Sequence, residues 1–264
     1  MTVLALRGIA MSYGAVTALS DIDLDVRTGE VLALCGDNGA GKSSLVKILS
    51  GAQMPTAGSL RLDDVERRFR GPQDALKRGV ATIYQDLAVA PRLSIWQNVF
   101  LGSELTRPPF GLLDKRRMAE MSRSFLARLA ITIADMETPV ERLSGGQRQA
   151  VAICRALRWE ARVIIMDEPT AALGVRETAQ VLDLIRRLHA EGRTVILVSH
   201  AMPDVVAVAD RVVILKGGRK VMDRAMTGLN AADLAFLITS GDKPFSNVHE
   251  SVPGSSHRLG ENTP

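Results

Sequence analysis

A glycine-rich octapeptide at residues 36–43 (Gly-Asp-Asn-Gly-Ala-Gly-Lys-Ser) fits the pattern G-x-x-x-x-G-K-[ST]. It follows a continuous apolar run at residues 31–35 and precedes a helix-like stretch at residues 42–50, the setting this phosphate-binding pattern requires. Backbone N–H groups and the positive helix end would attract phosphate oxygens, with Lys42 reaching the β- and γ-phosphates and Ser43 ligating Mg²⁺. The candidate nucleotide-binding residues here are Gly36, Asp37, Asn38, Gly39, Ala40, Gly41, Lys42, Ser43 and Ser44.

Two adjacent carboxylates end a second apolar run. Residues 163–166 (Val-Ile-Ile-Met) lead directly into Asp167, Glu168 and Pro169. Asp167 is placed to hold Mg²⁺, through water, and Glu168 to polarise an attacking water molecule. The alternative is a strand that simply ends in surface acids, and the phosphate-binding pattern upstream favours the catalytic interpretation.

A third candidate segment is the start of a helix at residues 143–147 (Leu-Ser-Gly-Gly-Gln). Ser144 and Gln147 form the S-x-x-Q pattern of a capping box. Gly145 and Gly146 are poor helix formers, but they suit a backbone that approaches an anion closely. The alternative is a well-capped helix with no ligand; a second phosphate-binding helix start suggests two surfaces around one nucleotide.

The elements that must position these residues show three different patterns of apolar and polar residues. Residues 21–27 alternate between polar and apolar side chains, which predicts a half-solvated antiparallel strand. Continuous apolar runs at residues 31–35, 80–84, 163–166, 194–198 and 212–215 predict strands covered on both faces, as in a parallel α/β sheet. Residues 86–143 contain no such run, and residues 114–130 have helical spacing, so we interpret this region as a mostly helical insertion.

Composition narrows the class of protein. The chain has 264 residues, and its formal net charge of +4 is spread along the sequence without a basic stripe, so we expect no nucleic-acid partner. Cys35 and Cys154 lie far apart in apolar contexts, which predicts reduced, buried thiols. The longest apolar runs fall far short of the ~20 residues of a membrane-spanning helix, and the N-terminus does not resemble a signal peptide.

Taken together, these motifs resemble the ATP-binding cassette ATPases, whose signature is the pentapeptide at residues 143–147. The resemblance spans about residues 3–222. Tyr13 matches the aromatic residue that stacks on adenine, Gln85 the glutamine between the α/β core and the helical subdomain, and His200 the switch histidine at the γ-phosphate. The resemblance implies an α/β P-loop NTPase core with a mainly parallel sheet, an antiparallel β-subdomain and a helical subdomain at about residues 86–158. We expect one ATPase domain at residues 1–240 and a disordered tail at residues 241–264.

The resemblance also implies a mechanism. Two cassettes would dimerise head to tail, with ATP between the phosphate loop of one and Ser144, Gly145, Gly146 and Gln147 of the other. Glu168 would be the general base, Lys42 and His200 would stabilise the phosphates, and Gln85 would assist catalysis and join Ser43 and Asp167 around Mg²⁺. One position departs from the family: Gly174 stands where most cassettes carry an aspartate that bridges the subunits, which puts tight coupling of the two sites in doubt.

The residues within these motifs are similar to those of bacterial monosaccharide importers of the ribose, xylose and fructose type. There is room for one cassette, so we expect a homodimer. It would be bound to a separate transmembrane permease at the cytoplasmic face of the inner membrane, served indirectly by a periplasmic sugar-binding protein. The predicted docking region is near residues 87–101, with Pro91, Arg92 and Trp96 as candidates or as ordinary loop and core. The alternatives are a cassette for another solute and a soluble, non-transport cassette of DNA repair or translation.

Overall fold

The computed structural model describes residues 1–171 and 173–240, so the predicted tail at residues 241–264 lies outside the described residues. Its strands are β1 (Thr2–Tyr13), β2 (Val16–Arg27), β3 (Val31–Gly36), β4 (Ala57–Leu62), β5 (Val65–Arg67), β6 (Val80–Ile83), β7 (Thr106–Arg107), β8 (Leu112–Leu113), β9 (Val163–Asp167), β10 (Thr194–Val198), β11 (Arg211–Lys216) and β12 (Arg219–Ala225). Its helices are α1 (Lys42–Leu49), α2 (Pro72–Lys77), α3 (Ile95–Phe100), α4 (Lys115–Arg128), α5 (Gly145–Arg158), α6 (Val175–Ala190), α7 (Met202–Val208) and α8 (Ala231–Ser240), with a short 3₁₀ turn at Val140–Arg142.

A six-stranded sheet forms the centre of the molecule, in the order β12-β11-β3-β10-β9-β6. All its pairs are parallel except β11 with β12. The central strands β3 and β10 are buried along their whole length, because helices and a second sheet cover both faces. The continuous apolar runs therefore predicted these buried parallel strands correctly.

A four-stranded antiparallel sheet, β2-β1-β4-β5, packs beside α1. Along β2, Ile22, Leu24 and Val26 are buried while the intervening acids are exposed. The predicted half-solvated strand is confirmed. Arg211 joins the two sheets: it is 7% exposed, pairs with Glu30 at 2.7 Å, and donates a hydrogen bond to the Asp25 carbonyl at 2.6 Å.

Three helices, α3, α4 and α5, lie between β6 and β9, where the sequence predicted a helical insertion. They share one hydrophobic core with α6 and one face of the central sheet. The sequence did not predict the two-residue pair β7–β8 in this region, because two residues per strand leave no readable alternation. Trp96 is 3% exposed, so it belongs to this core, whereas Pro91 and Arg92 are exposed.

Both cysteines are free and buried, as predicted. Burial raises the pKa of the Cys35 thiol to about 12, Lys42 opposes this shift, and Glu168 adds to it. Burial also raises the pKa of Cys154. Within the described part of the chain, no helix is long and apolar enough to cross a bilayer.

Candidate nucleotide site

Four candidate segments meet at the carboxyl edge of the central sheet. The phosphate loop follows β3, the two carboxylates end β9, His200 follows β10, and Gln85 follows β6. The strand register aligns the ends of three strands, since Val198 of β10 pairs with Asp167 of β9 on one side and with Leu34 of β3 on the other. Because these strands are parallel, their ends point to the same side, where ligands of open α/β sheets bind.

Two glycines of the phosphate loop have no room for a side chain. A Cβ at Gly36 would lie 2.3 Å from the Leu215 carbonyl oxygen, and one at Gly41 would lie 2.7 Å from the Ala18 carbonyl oxygen. Both also have positive φ, 148° and 103°, which favours glycine. The loop can therefore close tightly against β2 and β11 only with glycine at these positions.

Exposure differs along the phosphate loop at residues 36–44. The Lys42 ammonium folds back and donates to the carbonyl oxygens of Gly36 at 2.7 Å and Asp37 at 3.0 Å, which fixes the lysine over the loop. The exposed residues are Asp37, Asn38, Gly39 and Ser43; Gly41, Lys42 and Ser44 are half-buried; Gly36 and Ala40 are buried.

Asp167 and Glu168 are both half-buried. Burial raises the pKa of the Asp167 carboxyl, the adjacent Glu168 charge adds to the shift, and the Lys42 charge opposes it. Glu168 adopts a positive φ of 51°, and its N–H donates to the Val198 carbonyl at 2.9 Å. The backbone turns here, at the end of β9, so that the two consecutive carboxylates take different directions.

Two side-chain contacts link the segment after β9 to the segment after β10. Glu168 Oε2 lies 2.6 Å from His200 Nδ1, and the His200 side chain is 71% exposed. Two residues further along, Thr170 donates its hydroxyl to Asp204 Oδ2 at 2.7 Å. The segment at the end of β9, here called the carboxylate segment (residues 167–170), thus contacts residues 200–204 through two pairs of side chains.

Gln85 is exposed, and it lines a cavity of about 380 Å³ together with Glu168 and Gly145. Arg155 of α5 holds the neighbouring backbone by donating to the carbonyls of Leu87 at 3.1 Å and Ala88 at 3.1 Å. The loop that carries Gln85 is therefore attached to the helix that begins at Gly145.

Tyr13 lies at the end of β1, 41% exposed, and donates its hydroxyl to Gln53 at 2.8 Å. Its strand pairs with β2 through Val16, and β2 reaches the phosphate loop two residues later, at Ala18. Tyr13 is thus a partly exposed residue close in the chain to the point where β2 meets the phosphate loop.

The capping box at the start of α5 is confirmed. Ser144 accepts a hydrogen bond from the Gln147 N–H at 3.3 Å, and the Gln147 side chain accepts one from the Ser144 N–H at 3.1 Å. Ser144 is exposed, whereas Gly145 and Gly146 are buried against the start of α6. The Gly145 N–H donates to Glu177 at 3.0 Å.

Sequence reasoning did not find Thr170, Asp204 or Glu177. Their partners lie 34 residues away for the Thr170–Asp204 pair and 32 residues away for Glu177 and Gly145. The only local signal was Glu177 in the first turn of α6, where an acidic residue is ordinary.

The chain is similar to several known proteins. A family model described as "ABC transporter" matches residues 19–171. A fructose import ATP-binding protein of Rhizobium meliloti is 44% identical over 92% of this chain and 95% of its own length. A xylose/arabinose import ATP-binding protein of Sulfolobus acidocaldarius is 44% identical over 90% of this chain and 94% of its own. A dimeric ATP-binding cassette solved with ADP and phosphate has a TM-score of 0.72 at 24% identity, covering 86% of this chain and all of that one.

Proposed function

The chain belongs to the ABC transporter family, and from that premise we propose that it is the ATP-hydrolysing subunit that energises monosaccharide uptake through a separate permease. The single observation that carries the ATPase function is the meeting of the phosphate loop, two carboxylates and His200 at one sheet edge. We propose a monosaccharide as the transported solute because relatives with over 40% identity across most of the chain are named for fructose and for xylose/arabinose import.

ATP fits the phosphate loop for a steric reason. Side chains at Gly36 and Gly41 would collide with neighbouring backbone, so only glycine allows the loop this tight course, and a glycine-rich loop of this kind would let backbone N–H groups approach phosphate oxygens. Lys42 would pair with the β- and γ-phosphates, and residues 37–44 would supply the remaining donors. Tyr13, exposed near the β2 edge of the loop, would stack on adenine.

The donor set also fits Mg²⁺. Ser43 is exposed at the start of α1, which follows β3, and Asp167 ends β9, which is separated from β3 by β10 alone, so a hydroxyl and a carboxylate lie at the same edge of the sheet. This suits Mg²⁺, which is commonly held by one or two protein oxygens together with phosphates and water. Mg²⁺ bound at this site, with Gln85 nearby, would neutralise charge on the phosphate oxygens.

Hydrolysis would then proceed through the side chains at the edge of the sheet. Glu168 would accept a proton from the water that attacks the γ-phosphorus, the bond to the bridging oxygen would break, and ADP and phosphate would result. Lys42 and His200 would stabilise the charge on the phosphate oxygens. His200 is exposed and lies against Glu168, so it can turn towards a γ-phosphate without leaving the site.

The second half of each site would come from another copy of the chain. Ser144, Gly145, Gly146 and Gln147 begin α5 on the helical side of the molecule, and the exposed Ser144 would face the γ-phosphate held by the partner. A head-to-tail homodimer places two nucleotides between two phosphate loops and two such helix starts.

The permease would dock where the helical region meets the central sheet. A cavity of about 330 Å³ lies there, lined by Leu76, Tyr84, Leu87, Leu101 and Trp159 among others. Three of its lining residues, Leu87, Ala88 and Leu101, belong to the predicted docking region, whereas the candidate Trp96 is buried in the core. The subunit would then be peripheral at the cytoplasmic face, with a periplasmic sugar-binding protein acting on the other side.

Uptake measurements test this function. A strain lacking the gene is supplied with labelled pentoses and hexoses, and complemented with the wild-type chain, with Glu168→Gln, or with the surface control Glu137→Gln. We expect loss of uptake of one sugar, restored by wild type and Glu137→Gln but not by Glu168→Gln. Unchanged uptake of every sugar in the deletion strain would refute sugar import.

A further inference from the structure

A single carboxylate connects the starts of α5 and α6. Glu177 Oε1 accepts a hydrogen bond from the Gly145 N–H at 3.0 Å, and its Oε2 accepts one from the Gly174 N–H at 3.3 Å. Both oxygens of one side chain are therefore used by backbone amides of two helix starts that are 29 residues apart in sequence.

The two helix starts also approach each other closely. A Cβ added to Gly145 would lie 2.6 Å from Leu173 Cδ2 and 3.2 Å from Glu177 Oε1, and one added to Gly146 would lie 2.7 Å from Gln180 Oε1. Neither glycine has a positive φ. A Cβ at either position would therefore meet the flexible ends of side chains from the α6 region of the same chain, which shows how closely the two helix starts are packed.

The α6 side of this contact is continuous with the hydrolytic site. Glu177 lies nine positions after Glu168 in the sequence, and Thr170, within that stretch, is held by Asp204, four positions after His200. Gly174 has no side chain with which to hold its surroundings, and the Glu177 carboxylate supplies the acceptor for its N–H. Glu177 is therefore a side chain that joins the start of α6 to the start of α5 by hydrogen bonds.

We propose that Glu177 is a positioning residue that links the segment after β9 of one subunit, which carries Glu168, to the nucleotide held by its partner. The proposal rests on the head-to-tail dimer of the proposed function, in which the start of α5 faces the other subunit's γ-phosphate. Glu177 holds that helix start in the orientation that receives the phosphate, and it ties this helix start to Gly174 at the beginning of α6. This is a route between the two sites within one chain, at the place where Gly174 lacks a bridging side chain.

The chemistry of the side chain predicts a graded series. Glu177→Ala removes both acceptors. Glu177→Gln keeps one carbonyl oxygen with almost the same shape and removes the charge. Asp183→Ala is the matched control, since it removes an exposed carboxylate from the same helix, where Asp183 pairs with Arg186 and Arg187.

The test measures ATP-dependent dimerisation in the Glu168→Gln background by sedimentation velocity with ATP and Mg²⁺. We expect Glu177→Ala to raise the ATP concentration for half-dimerisation about tenfold, as for the loss of one charge-assisted hydrogen bond. Glu177→Gln should give a smaller rise, and Asp183→Ala none. ATP binding to the monomer, followed by fluorescent-nucleotide titration at low protein concentration, should be the same in all variants.

The outcomes separate the two proposals. If the Glu168→Gln parent dimerises and both Glu177 variants dimerise at the same ATP concentration as the parent, Glu177 has no positioning role and the proposed function stands. If the parent never dimerises, the dimer of the proposed function falls, and Glu177 falls with it. If Glu177→Ala does not fold, Glu177→Gln decides, because its near-identical shape preserves packing: an unchanged midpoint overturns the proposal.

Discussion

Nδ1 of His200 lies 2.6 Å from Oε2 of Glu168, so the proposed general base and the proposed phosphate sensor are in contact before any nucleotide is considered. His200 is 71% exposed, whereas the Glu168 side chain is only 18% exposed. The histidine is therefore the partner that is free to move, and the carboxylate is the fixed member of the pair.

Glu168→Gln should keep ATP binding and lower hydrolysis by about 10² to 10⁴, because glutamine cannot accept the proton of the attacking water. The variant should accumulate as an ATP-bound dimer. Phosphate release and sedimentation measure the two effects, with Glu137→Gln as an exposed acid control. Wild-type turnover in Glu168→Gln would remove this residue from its proposed role.

His200→Ala should lower turnover at saturating ATP by about 10² or more, through loss of a donor to the γ-phosphate, while ADP affinity stays unchanged. His189→Ala is the matched control, since His189 lies on α6 and faces Asp210 at 3.3 Å instead of the site. Equal turnover of the two variants would show that His200 does not contact the phosphate.

Lys42→Ala should weaken ATP binding by about ten- to a hundredfold, because it removes a charge-assisted hydrogen bond to the phosphates. Calorimetry with ATP measures the affinity. Lys47→Ala, an exposed lysine in the last turn of the same helix, serves as the control. Unchanged affinity in Lys42→Ala would count against the phosphate-loop assignment.

Thr170→Val should lower kcat about tenfold with little change in the ATP KM, since it removes the hydroxyl that Thr170 donates to Asp204 at 2.7 Å and keeps the shape of the side chain. Thr170→Ser retains the hydroxyl and should restore activity. Steady-state ATPase assays of both variants, with thermal unfolding as a check on folding, test this. If valine and serine behave alike, the hydroxyl does not position the site.

Tyr13→Ala should lose roughly 1 to 3 kcal/mol of ATP affinity through loss of base stacking. Tyr13→Phe keeps the ring and loses only the hydrogen bond to Gln53, so it should bind ATP like the parent. Inorganic tripolyphosphate, which lacks a base, should bind all three proteins equally. An alanine variant that keeps full ATP affinity would contradict stacking at this position.

Much of the nucleotide site could be predicted from the sequence because its motifs are short and local. The spacing within residues 36–43, the apolar run before Asp167 and the S-x-x-Q pattern at Ser144 each occupy fewer than ten residues. Parallel strands then bring the ends of β3, β9 and β10 to one edge without further information. The pair β7–β8 was missed because it is too short to show a period.

The sequence by itself determined the types of chemical group and the ends of strands and helices at which they lie, because each motif directly follows an apolar run or begins a helix. Only the tertiary structure decided which of those groups touch. The contacts of Glu168 with His200, Thr170 with Asp204 and Gly145 with Glu177 join residues about 30 positions apart. Such distances are set by how α5, α6 and α7 pack on the sheet, and no local pattern encodes them.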